Sequence, residues 1–335
     1  MKGSSYSKTG AMRKSFAILT ASLLVAAPLL SAPGVIAADA SDAVTATTVN
    51  RYFMALANDR CRILPDDAAM ALKAGYLQAR NAALRAGHSM ADLGPWLQRA
   101  RDAAASVACD NPKLTGAFDD AAAAYRRFIV QTRLDLPGAR ASWQADRSYG
   151  DDAKWRLVQY QNLPAADLAF GVYGGLNAPR FTVMASFHDG QTPYAARLLL
   201  RNADLVSEGL IAARPDDVAA LPPPGFGDAS LSFMARDAQT VNVVLRPSIQ
   251  TNSAGFSLTG DYVGTARTQA ATRFDFPSQA WPAIARLDPR EDMVVEFDFD
   301  SGPRYVRFEV GDFISGLMYV TLPQPYTHNS LNTAG

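Results

Sequence analysis

Cysteine and histidine are scarce in this chain, with two Cys and three His in 335 residues. That scarcity excludes cysteine-rich scaffolds and argues against a histidine- or thiolate-built metal cage. Charge of one sign is lacking too, since 32 basic residues balance 32 acidic ones. Lys2, Lys8, Arg13 and Lys14 fall in a stretch without acids, and removing these four from 32 leaves 28 against 32, a net charge of −4. A mildly acidic protein has no general electrostatic pull toward nucleic acid or anionic lipid, so nucleic acid is not an expected partner. Past residue 40 there is no long apolar run, and no transmembrane segment is expected in the mature chain. No cofactor motif is found, and no cofactor is expected.

What is present begins with an export signal. Met12, Arg13 and Lys14 form a basic start, and residues 16–30 are almost wholly apolar. That run is about 15 residues, short of the roughly 20 a membrane span needs. Pro33 and Gly34 then break the helix, and Val35 and Ala37 fit a small-residue cleavage site. Residues 1–38 therefore read as a signal peptide, and the periplasm as the expected compartment. In an oxidising compartment, Cys61 and Cys109 read as a disulfide.

Four helices are expected over 43–135. The first covers 48–60. The second begins at Pro65, with Asp66 and Asp67 favouring its positive N-terminus, and ends at Gly87. The third starts at Ser89 and carries Leu93, Leu97, Ala100 and Ala104 on one stripe, and Asn111-Pro112 announces the fourth. Short loops favour an up-down bundle in which helices one and three are parallel, bringing both cysteines to one end.

Residues 136–154 read as a linker. From Trp155 the period drops to two, giving a β domain over 155–323 and a tail over 324–335. Strands are expected at 168–172, 181–187, 194–200, 231–236, 241–246, 271–276, 293–300, 305–310 and 317–322, with one helix at 278–287. Pro222-Pro223-Pro224-Gly225 reads as a stiff connector dividing the β region. The fold class is thus α+β: a disulfide-tied up-down helical bundle, then a mainly antiparallel β-sandwich or open barrel. Around the turn 300–303, pairing Phe299 with Arg304 sets Phe297 against Val306 and Val295 against Phe308. It also places Glu296 opposite Arg307 on a solvated face.

Few motifs carry chemistry. Gly87-His88-Ser89-Met90-Ala91 resembles a GxSxG nucleophile elbow, but that elbow needs a strand before the serine and here a helix precedes it. A helix stop at Gly87 and a cap at Ser89, with Asp92 at the capping-box position, account for every residue. Glu296, Asp298, Asp300 and Glu309 stand at EF-hand-like spacing, but Pro303 occupies the required glycine position and the flanks read as strands, so no metal is expected. Trp96, Trp143, Trp155 and Trp281 read as buried anchors rather than sugar-stacking platforms. The polar stretch 247–271 offers a candidate binding loop with Asn252, Ser253, Asp261 and Tyr262. These residues fit an exported binding or accessory protein whose partner is an envelope protein or a glycan. The alternative is a hydrolase of envelope substrates, with Glu296 and Asp298 in a cleft.

Overall fold

The computed structural model describes residues 43–150, 152–175, 178–207, 209–211, 217–226, 230–236, 238–245 and 268–323. The expected signal peptide and the candidate loop residues Asn252, Ser253, Asp261 and Tyr262 lie outside them.

The described residues open with four helices: α1 (Ala43–Cys61), α2 (Asp66–Arg85), α3 (Met90–Ser106) and α4 (Pro112–Phe128). Their ends follow local chemistry. Asn111 caps α4 with its side chain, and Ser89 and Asp92 form a complete capping box on α3. Gly87, at φ +101°, ends α2 in a Schellman motif, its N–H donating to Leu84 and that of His88 to Ala83. Pro65 is the N-cap of α2 rather than its first residue. The GxSxG-like stretch is a helix–helix junction. The bundle core joins Val49, Phe53 and Ala57 of α1 to Ala68, Ala100, Ala104, Leu114 and Phe118. Cys61 and Cys109 are bonded, with Cα atoms 5.5 Å apart. Beside them Arg60 donates to the carbonyls of Ala104 and Val107, neutralising the C-terminal end of α3.

Among the described residues eleven strands follow, β1 (Arg133–Leu136), β2 (Trp143–Asp146), β3 (Lys154–Asn162), β4 (Ala166–Gly174), β5 (Arg180–Phe187), β6 (Ala195–Arg201), β7 (Ser230–Met234), β8 (Gln239–Val243), β9 (Gln269–Phe276), β10 (Asp292–Asp298) and β11 (Arg304–Glu309). They form a seven-stranded sheet in the order β1-β2-β3-β4-β5-β9-β8 and a four-stranded sheet in the order β11-β10-β6-β7. Every pairing is antiparallel. Alternate residues of both sheets meet in one core, including Leu168, Phe170, Phe181, Val183 and Phe274 from the larger and Leu198, Met293, Val295, Phe297 and Phe308 from the smaller. Phe170 bridges them, its ring centroid 4.6 Å from that of Phe308. Gly171, at φ +149°, lies against Leu157, where any Cβ would sit 2.1 Å from the Leu157 carbonyl oxygen.

Several expectations are overturned. Residues 317–322 are not a strand: 317–321 belong to helix α6 (Phe313–Thr321), which buries Phe313, Gly316 and Tyr319 at helical spacing, and Leu322 is its C-cap. A short apolar run is ambiguous in period, and close packing decides it, since a Cβ on Gly316 would come within 2.5 Å of Leu157. The expected linker contains β2, whose Trp143 is fully buried and donates to the carbonyls of Glu309 and Val310. The helix expected at 278–287 is the short α5 (Ala280–Ile284) with turns beside it. Pro222–Gly225 does not divide the β region, because it falls between β6 and β7 of the same sheet. Tyr194, expected inward, is exposed.

The hairpin register also shifts by two residues. Phe297 pairs with Arg304, Val295 with Val306 and Glu296 with Tyr305. The inward set is unchanged, because a two-residue shift preserves which face each side chain takes. Phe299 does not open the ladder. It is buried, with its ring 4.9 Å from Phe187 and the Arg304 guanidinium 4.2 Å above it. Core burial of Phe299 thus lengthens the loop at the expense of one more ladder pair. Nor is the other face solvated, since the side chains of Glu296 and Arg307 are only 11% and 10% exposed.

Candidate functional site

The outer face of the smaller sheet concentrates the polar residues singled out from sequence. Register places Met234, Arg197, Glu296 and Tyr305 in one cross-strand row, and Ala219 bridges to Tyr305 at its end. Arg197 reaches Glu296 at 3.2 Å and Asp298 at 3.3 Å. Burial pushes the Glu296 carboxyl above its ordinary acidity range; Arg197 pulls it back, and Asp298 raises it further. Tyr305 is likewise pushed up by burial and by Glu296. The sequence-predicted acids Glu296 and Asp298 do come together, around one guanidinium.

Asp300 and Glu309 do not join them. Glu309 is fully buried and accepts from the backbone N–H groups of Ala139, Arg140 and Ala141 at 2.5, 2.8 and 3.1 Å. Arg140 lies 3.7 Å from it, and Arg140 and Arg307 reach Asp292 at 3.1 and 3.8 Å. Further along, Arg201 and Glu291 form a buried bidentate pair at 2.6 and 2.7 Å. Among the described residues no group of three or more His, Cys, Asp or Glu could hold a metal ion. No helix among them is long and apolar enough to cross a membrane.

A connecting stretch lies across part of this face. Leu210, Ala219 and Phe226 pack on Leu199, Val294 and Tyr305. The same stretch leaves Leu205, Ile211 and Leu221 exposed, and Met234 is exposed at the edge strand β7. Exposed Met234 thus stands next to a polar row in which Arg197 pairs with Glu296 and Asp298.

The tryptophans are not presented as free stacking surfaces. Trp143 is core; Trp155 stacks edge-on against Tyr173, and Trp281 against Phe181. Trp96 is covered on one face by Arg99 at 3.9 Å.

Three polar arrangements escaped sequence reasoning. Arg147 is fully buried and donates to three carbonyls, of Ile129, Gln131 and Pro323, so the C-terminal ends of α4 and α6 supply its counter-charge instead of a carboxylate. Asp167 collects Asn162, Gln269 and His188. Asn81 and Asp312 join α2 to α6. Apart from Asn162, five residues before Asp167, their partners are separated by 16 residues or more and carry no local spacing signal. Comparison with protein-family models, curated proteins and solved structures gave no match.

Proposed function

We propose that this chain is an exported, non-catalytic binding or accessory protein of the cell envelope, acting through the outer face of its smaller sheet. One observation carries the reading: Arg197 holds both Glu296 and Asp298, while Met234 stays exposed on edge strand β7 and Leu205, Ile211 and Leu221 stay exposed on the connecting stretch. Paired charges with exposed apolar neighbours suit a protein partner better than proton transfer to a small substrate. Export is supported by the bonded Cys61 and Cys109 and by the leader pattern of residues 1–38. A photo-crosslinking residue placed at Met234 or Leu221 in the exporting cell tests it. The expected result is an adduct with one envelope component, missing when the probe sits at Arg99 on α3 and lost from the Met234 probe in Leu221→Asp. Adducts identical at all three sites would overturn it.

A hydrolase of envelope substrates is the second reading, favoured by Glu296 being held toward its protonated form beside Asp298. It requires that Glu296→Gln abolish turnover of purified envelope polymer while leaving the melting temperature in place.

A further inference from the structure

The smaller sheet has two edges, β11 and β7, and they are finished differently. On β11 the backbone groups turned away from β10 meet partners. Tyr305 exchanges hydrogen bonds with Ala219 at 2.8 and 3.0 Å, and Gln161 donates to the Arg307 carbonyl at 3.0 Å. Gln159 accepts from the Glu309 N–H at 2.9 Å and donates to its carbonyl at 3.2 Å. On β7 one bond fixes which way each group points. Ala235 donates to the Ala196 carbonyl at 2.9 Å, so this residue bonds to β6. Hydrogen-bonded pairs alternate along an antiparallel ladder, so Phe233 and Leu231 bond to β6 as well, while Ser232 and Met234 turn their N–H and C=O groups away from it. Both residues are exposed, and no described residue bonds to those groups.

Strand β7 also lacks the devices that blunt an edge. From Ser230 to Ala235 there is no charged residue and no proline, and the register with β6 runs without a bulge. Its inward side chains are unfinished too. Leu231 and Phe233 pack against the core shared by both sheets, yet each is only partly buried. The edge therefore offers open backbone groups and uncovered apolar surface together.

We propose that β7 pairs with β7 of a second copy of this chain, antiparallel, about a two-fold axis at Phe233. That register sets Ser232 against Met234 of the partner subunit, and the axis repeats the pair. Residues whose groups point outward then meet residues whose groups point outward, and each pair exchanges N–H···O bonds in both directions. Phe233 meets Phe233 of the partner subunit in the closely spaced position between them, which covers the apolar surface each copy leaves at its edge. Charge favours a copy as the occupant. A two-fold axis opposes every charge to its own sign, and an uncharged strand meets no such repulsion. A ladder this short falls below about 1,200 Å², the low end of specific interfaces, so the dimer is weak and reversible. The inference goes beyond the partner proposed for the outer face, because the purified chain alone tests it.

Sedimentation of the purified chain from low to high micromolar concentration should show a monomer–dimer equilibrium. Over the same range, amide exchange at Ser232 and Met234 should slow several-fold, while Phe233, already bonded to β6, changes little. Ser232→Lys places a charge on the exposed side of the edge and should weaken self-association by about tenfold or more without lowering the melting temperature. Across the proposed axis the two 232 positions are diagonal neighbours, about 7–8 Å apart and within reach of long side chains. Mixing Ser232→Lys with Ser232→Glu should therefore restore a dimer that neither variant forms alone. Should either variant fail to fold, the concentration dependence of wild-type exchange decides. A chain that stays monomeric throughout, or a dimer that leaves the Ser232 and Met234 amides unprotected, overturns the proposal. So does protection of those amides that appears only when envelope extract is added, which would assign the edge to another protein.

Discussion

Asn81 on α2 donates to Oδ1 of Asp312 at the head of α6 from 2.7 Å, joining residues 231 apart in sequence. The same amide donates to the Gly311 carbonyl, and Arg85 pairs with the other carboxylate oxygen at 3.3 Å. Burial pushes the Asp312 carboxyl up, while Arg85 and Asn81 pull it down. The helical bundle is thus held to the β-sheets by a buried polar contact as well as by apolar packing.

Asn81→Ala should cost about 2–3 kcal/mol at neutral pH, because it takes the donor from a buried carbonyl and from one oxygen of a buried carboxylate. The Asn81 bond favours the ionised form of Asp312. Without it Asp312 protonates more readily, so the cost should shrink as pH falls and Asp312 becomes neutral. Urea unfolding at pH 7 and pH 4 checks both the size and the trend.

Phe308→Ala should cost roughly 3–5 kcal/mol, since Phe308 is fully buried against Phe170. Arg307→Glu should also be expensive, about 2–4 kcal/mol, because the new carboxylate would sit beside Asp292 on a face with little water. An Arg307→Glu cost below about 1 kcal/mol would match the solvated hairpin face expected from sequence and contradict the structure.

Asp275 offers a second pH test. Burial raises its carboxyl, but hydrogen bonds from Arg273, Thr182 and Arg180 outweigh that and leave it below its ordinary value. A depressed folded value stabilises above the unfolded value of 3.8 and is lost as pH falls through the folded one. Asp275→Asn should therefore cost about 1–2 kcal/mol at pH 7 and much less near pH 2. Equal losses at both pH values, measured by chemical unfolding, would remove the ionic contribution.

Reducing Cys61–Cys109, which closes a loop of sequence separation 48, should destabilise the chain by about 4 kcal/mol in the loop-entropy account. The β core around Phe170 and Phe308 should keep its slow hydrogen exchange under conditions that still favour folding. The bridge ties α1 to the end of α3 and touches neither sheet.

The sequence by itself determined the features whose partners lie within a few residues. Ser89 and Asp92 cap α3, Gly87 stops α2, Asn111 starts α4, and alternation over β4, β5, β6, β10 and β11 marks the inward face. The cysteine pairing was legible because short helical connections constrain which helix ends can meet. Glu296 and Asp298 were legible as neighbours because they stand two apart on one strand face. Tertiary structure alone decided the rest. Phe299 leaves the ladder because the core around Phe187 takes its ring, and 313–321 coil into α6 because Gly316 lets a helix press on Leu157. Arg197 reaching Glu296, Asn81 reaching Asp312 and His188 reaching Asp167 depend on distances that exist only after the sheets assemble. Local propensity and periodicity act over a few residues, whereas a buried polar atom takes its partner from whatever the packed core brings within about 3 Å.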